Sequence, residues 1–124
     1  MEPDDLLRDY EELINRHDFN LLVPLIAEDA SFWFSEGSYV GLAAIRAAFE
    51  RTWAELADET YWLEDRRWLA RDTDVAACTY RFNWTAMAGG KSISGQGRGT
   101  TIVRRGADGW RIVHEHLSQM PQGA

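Results

Sequence analysis

Apolar residues recur every three or four positions in the first half of the chain and every second position from Thr60 onward. Leu6, Leu7, Tyr10, Leu13 and Ile14 mark one face of a first helix, which the polar stretch NRHD (15–18) interrupts. Asn20 is placed to cap a short second helix carrying Leu22, Leu25 and Ile26, with Pro24 near its first turn, where proline does least harm. ASFWFS (30–35) is short and aromatic and predicts a strand. EGS (36–38) turns it, and Tyr39-Val40 return as a brief partner. After Gly41, Leu42, Ile45, Phe49, Trp53 and Leu56 predict the clearest helix, with Arg46, Glu50 and Arg51 outward. Period two then predicts strands at 60–70, 75–87, 92–105 and 110–118. The intervening turns are RDTD (71–74), AGGK (88–91) and GADG (106–109). The tail MPQGA (120–124) is expected to fray.

This pattern predicts one α+β domain over residues 1–124, with its core at about 5–118, in the order α-α-β-α-β-β-β-β. In the 75–87 segment, Cys78, Tyr80, Phe82 and Trp84 share a face that should meet the helices. Thr79, Arg81, Asn83 and Thr85 face solvent or another subunit. Glycines at 95, 97 and 99 fall on alternate positions of the next strand, where they permit strong curvature or clear space above one face.

Composition narrows the function classes. A formal net charge of −7 argues against nucleic acid and anionic membrane as partners. The single cysteine, Cys78, leaves no internal disulfide and no cysteine cluster for zinc, which fits a reducing compartment. The acidic start MEPDDLLRDYEEL lacks the basic and apolar regions of a secretory leader, and no apolar run reaches membrane-spanning length. The expectation is a cytoplasmic protein.

Most motif matches dissolve on inspection. GQGRGT (95–100) lies within a strand pattern with no helix behind it, so it is no phosphate loop. GGKS (89–92) has Thr85 where a nucleoside-triphosphate loop needs glycine. No serine sits in a nucleophile elbow, and Cys78 falls on the apolar face, where a thiol is inert. His114 and His116 are two apart on a strand and could share a metal ion, but a third ligand is missing: Glu115 points the other way and His17 is far off in a loop. The expectation is therefore no metal and no cofactor.

Three stretches, HDFNLLVPLIAEDASF (17–32), YVGLAAIRAAF (39–49) and DGWRIVHEHLS (108–118), resemble the SnoaL-like branch of the nuclear transport factor 2-like superfamily, and the likeness covers about residues 5–118. That superfamily also holds ketosteroid isomerase, scytalone dehydratase and the kinase association domain. The resemblance implies a cone-shaped, curved antiparallel sheet wrapped around helices, a pocket at its open end, and a homodimer through the outer sheet face. It implies fold more sharply than function. Tyr10 and Asp18 keep the spacing of a ketosteroid isomerase tyrosine and loop aspartate, but the isomerase base position holds Phe34 and its neutral acid falls near Thr101. The acid–base aspartate of the polyketide cyclases falls on Leu117. The histidine-and-aspartate set of scytalone dehydratase has no counterpart. Steroid isomerase activity is therefore not expected.

The same likeness sends Val113, Glu115 and Leu117 into the pocket. It sends Trp110, Ile112, His114, His116 and Ser118 to the outer face, which makes the histidines dimer-face residues. The candidate lining begins with Tyr10, Phe32, Phe34, Phe49, Trp53 and Trp62. Tyr80, Phe82, Thr101, Val113, Glu115 and Leu117 complete it. For any one aromatic, a plain core role is the commoner fate. Glu115 is structural if it pairs with Arg66 or another cation, the arrangement slightly preferred here, and an acid–base group if left alone beside aromatics. Tyr10 is a core tyrosine or a donor to a ligand oxygen. Three functions follow. The first is a dimeric protein binding a small hydrophobic or aromatic molecule. The second is a cofactor-independent isomerase, cyclase or lyase with Glu115 and Tyr10 as catalytic groups. The third is an association module without ligand.

Overall fold

The computed structural model describes residues 1–121. Helix α1 spans Pro3–Ile14 and begins with proline in its first turn, where the Asp5 carboxylate accepts the Glu2 amide proton at 2.9 Å. Its Leu6, Leu7, Tyr10 and Ile14 are buried, as the spacing predicts. The expected second helix is replaced by two short 3-10 turns, Phe19–Leu21 and Val23–Leu25. Only a few residues separate Asp18 from the next strand, and Pro24 lacks an amide donor, so no α-helical ladder can form. Asp18, rather than Asn20, is the cap: its carboxylate accepts the Asn20 amide at 3.1 Å. Ile26 opens a strand instead of closing a helix.

Strands β1 (Ile26–Phe34) and β2 (Gly37–Val40) form a hairpin leading to helix α2 (Leu42–Glu55). Strands β3 (Ala57–Arg71), β4 (Val75–Ala88), β5 (Lys91–Gly106) and β6 (Gly109–Gln119) then run as a meander. One six-stranded sheet results, in the order β2-β1-β6-β5-β4-β3. It is mixed rather than wholly antiparallel, because β1 pairs with β6 in parallel. The tail expected to fray lies outside the described residues from 122 onward.

The sheet curls around α1 and α2, and two sequence devices shape it. Across β4 and β5, Tyr80 faces Gly99, Phe82 faces Gly97 and Trp84 faces Gly95. A Cβ at any of these glycines would collide with the ring opposite; at Gly95 it would come 2.6 Å from the Trp84 Nε1 atom. The glycines let three rings lie flat against the neighbouring strand, so the concave face is curved and still filled. The second device is the β-bulge. Ile102 pairs with His114 and Val103 with Ile112, which leaves Val113 as an extra residue in β6. On β3, Asp58 and Asp65 take left-handed backbone conformations (φ 54° and 56°) at two such irregularities.

The bulge corrects one expectation. Trp110 and Ile112 do not join the outer face: Ile112 is fully buried and Trp110 nearly so. Simple alternation through Val113 would have put them outside. The bulge shifts the phase by one residue, so Ile112 and Glu115 both point into the cone.

Candidate functional site

Among the described residues, Glu115 is the one charged-type side chain that is fully buried, at 1% exposure. β6 carries it opposite Thr101 of β5, on the concave face. The Tyr10 hydroxyl, from α1, donates to its Oε2 at 3.3 Å. The Tyr80 hydroxyl, from β4, donates to its Oε1 at 3.4 Å and shares a 2.7 Å hydrogen bond with Thr101 Oγ1. The two bonds to the carboxyl are long for O–H···O contacts and correspondingly weak. Burial therefore dominates, and it pushes the Glu115 carboxyl from its ordinary 4.5 up to about 8, with the two tyrosines pulling only partly downward. Glu115 is neutral at pH 7. Burial, and then the nearby carboxyl, raise Tyr10 well above the usual phenol range, so it stays a donor.

The expected ion pair with Arg66 does not form. Arg66 lies by the N-terminal turn of α1, its Nε 3.9 Å from an Asp4 oxygen. The arginine of a β-bulge has been carried to another part of the cone, and Glu115 meets hydroxyls instead of a cation.

Glu115 closes the inner end of a cavity of about 290 Å³. Phe34, Phe49, Phe82, Trp84, Tyr61, Ile14, Leu56 and Leu117 form its walls, and Ser35, Glu36, Thr52, Glu59 and Gln119 its polar parts. Of the residues expected to line it, Phe34, Phe49, Phe82, Glu115 and Leu117 do so. Tyr10, Tyr80 and Thr101 sit behind Glu115 as a buried hydroxyl chain. Phe32 is fully buried beneath the wall, its ring edge-on to Phe34 and Phe49. Trp53 packs on Phe49 and stacks with His17 beside the cavity instead of in it.

Two residues are misplaced by one step. Val113 occupies the bulge and does not reach the cavity. Trp62 pairs with Asn83 on the convex face, where its Nε1 donates to Glu64 at 3.0 Å. Its neighbour Tyr61, opposite Trp84, supplies the inward ring. The sequence held a signal for Trp84, which shares the alternation of Phe82. It held none for Ile14, Leu56, Glu36, Glu59 or Gln119, which the cone brings together from five different segments.

The convex face is chemically distinct. His114 Nδ1 shares a 2.8 Å hydrogen bond with Ser31 Oγ, and exposed Trp33 packs edge-on to both His114 and His116. No third metal-ligating side chain joins the histidines among the described residues. A groove of about 540 Å³ crosses this face between Arg67, Arg81, Arg98 and His116. Cys78 is fully buried, and burial raises its thiol pKa above the ordinary value. Among the described residues, no helix is long and apolar enough to cross a membrane.

Comparison with known proteins agrees with this geometry. The model of the SnoaL-like domain matches residues 4–122. A nuclear transport factor 2-like superfamily protein from Salmonella enterica serovar Typhimurium superposes with a TM-score of 0.88 at 21% identity, covering 97% of this chain and 89% of that one. A protein from Novosphingobium aromaticivorans, named provisionally as an aromatic ring hydroxylase, superposes at 0.85 with 22% identity, covering 95% and 87%. A provisional calcium/calmodulin-dependent protein kinase II association domain from Xanthomonas campestris reaches 0.83 at 20% identity, covering 94% and 84%. At these identities the likeness establishes the α+β cone. No curated protein sequence matches the chain.

Proposed function

The chain belongs to the SnoaL-like domain family, and from that premise we propose that it binds a small hydrophobic or aromatic molecule in the cavity that Glu115 closes. The observation that carries this reading is the pairing of an aromatic wall with a single neutral carboxyl at its inner end. A protonated carboxyl donates one hydrogen bond and costs little to keep dry, so it suits a ligand with an apolar body and an oxygen acceptor such as a carbonyl. The volume, about that of ten waters, fits a one- or two-ring molecule.

A second reading rests on the same group. A carboxyl whose pKa lies near 8 can give and take a proton around neutral pH, so the site could serve a cofactor-independent isomerase, cyclase or lyase, with Glu115 the acid–base group and Tyr10 holding it. The proposed assembly is a cytoplasmic homodimer through the convex face, with Trp33, His114 and His116 in the contact. Trp33 is 47% exposed there, an aromatic surface of the kind interfaces use. An association module without ligand is the remaining alternative.

Thermal unfolding against a panel of aromatic ketones and phenols tests the first reading. A ligand at a hundredfold excess over its dissociation constant adds about 2.7 kcal/mol of stability. The shift should shrink in Glu115→Gln if the ligand needs a carboxyl donor. Unchanged binding with lost turnover in that variant would select the enzyme. A panel without a single hit, from a tight dimer, would sink both in favour of the association module.

A further inference from the structure

The cavity has two ends of different chemistry. The inner end is the neutral, fully buried Glu115. The mouth carries Glu59, half-buried, and Glu36, exposed, with the amide of Gln119 between solvent and wall. Among the described residues, no arginine, lysine or histidine lines any part of it. The nearest imidazole, His17, hydrogen-bonds the backbone carbonyl of Glu59 at 2.9 Å and stacks on Trp53, leaving the Glu59 carboxylate without that partner.

Other carboxylates fall into two groups. Exposed ones such as Asp18, Glu28 and Asp58 also lack an arginine among the described residues, and others are paired. The carboxylates of Asp5, Asp29, Glu50, Glu64 and Asp74 all have an arginine within 4.0 Å. Glu59 has no such contact among the described residues, although it is partly withdrawn from water, and burial raises its pKa with no cation opposing the effect. An unneutralised carboxylate lining the same cavity as the rings of Tyr61, Phe82 and Trp84 is the kind of set that recognises an organic cation. The rings contribute their quadrupole and the carboxylate its charge, whereas a ligand carboxylate at the mouth would meet two like charges and no cation among the described residues.

We propose that the ligand of this cavity is an aromatic molecule bearing a positively charged nitrogen, held with its ring against the aromatic wall that includes Phe82 and Trp84 and its cation at the mouth against Glu59 and Glu36. This rests on the cavity being a ligand site, and it adds the ligand's charge and orientation. Glu59 becomes the residue that determines specificity, and aromatic acids are excluded.

Three probes with one ring system separate the two ideas: 1-naphthylmethylamine, 1-naphthylmethanol and 1-naphthoate, titrated calorimetrically at pH 7 into the full chain. The amine is expected to bind about tenfold more tightly than the alcohol, and the acid least. Glu59→Gln should remove most of that advantage and leave the alcohol unchanged. Asp108→Asn, which makes the same charge change at the far end of the cone, should leave the advantage intact. An equal loss in both variants would mean attraction to the bulk negative charge and would overturn the proposal. Alcohol binding as well as amine, with both weakened in Trp84→Leu, would overturn it while the cavity reading stands. Silence from all three probes would overturn both.

Discussion

Glu64 on β3 and Glu115 on β6 are glutamates of one sheet with opposite fates. Glu64 faces outward and accepts hydrogen bonds from Arg81 at 2.6 Å, Trp62 at 3.0 Å and Asn83 at 3.0 Å. Arg81 foremost, and then Trp62, hold its pKa below the ordinary value. Glu115 also accepts from two side chains, yet its pKa rises to about 8. Having hydrogen bonds is therefore not what decides ionisation. A guanidinium at short range in partial solvent favours the anion, whereas long contacts from neutral hydroxyls in a dry interior do not repay its lost hydration. The convex face stabilises charge, and the concave face suppresses it.

The contrast can be broken in four ways. The largest effect should come from pH. Folded Glu115 keeps a proton that the unfolded chain releases near 4.5, so its contribution to stability is complete below that pH. It is lost progressively as pH rises to about 8, by on the order of 5 kcal/mol in all. Urea unfolding from pH 5 to 9 should show this decline, and Glu115→Gln should flatten it. Identical profiles for the two proteins would contradict the buried neutral acid.

Next, Gly97→Val sets a side chain against Phe82 and the Ser118 carbonyl and should cost about 3 kcal/mol. Arg98→Val, one residue on but exposed on the other face, should change the denaturation midpoint little. Comparable losses would mean that the two faces are equally tolerant. Tyr10→Phe removes one donor from Glu115, costs about 1 kcal/mol and raises the carboxyl's midpoint further, which carbon NMR of the side chain would follow. The smallest effect belongs to Arg81→Gln. Glu64 should return toward an ordinary pKa with hardly any movement of the melting temperature, because the pair is exposed to solvent.

Much of this architecture is written in local sequence. The spacing of Leu6, Leu7, Tyr10 and Ile14 and the alternation of Tyr80, Phe82 and Trp84 gave helix and strand faces that the structure keeps. Turn residues at 88–91 and 106–109 bracket the observed hairpins to within a residue or two. What stayed hidden depends on long-range pairing. The likeness to the family sends Val113 inward and the candidate lining includes Trp62, but the register beside a bulge is set by the neighbouring strand. Tyr61 is the inward ring for that reason. The mouth was illegible because Glu36, Glu59 and Gln119 come from distant segments and share no motif. The partner of Glu115 was misread for a related reason: Arg66 is drawn away by a bulged strand toward Asp4.

The bulge at Val113 also bears on how descent is traced in such chains. A relative lacking one residue there could keep a regular ladder and still present the equivalents of Ile112 and Glu115 inward. Aligned with this chain without a gap, its inward acid would fall beside a histidine, and two proteins with the same inner chemistry would look unrelated at the one position that matters. Kinship among these cones is therefore better counted by which residue opposes Thr101 than by distance along the strand.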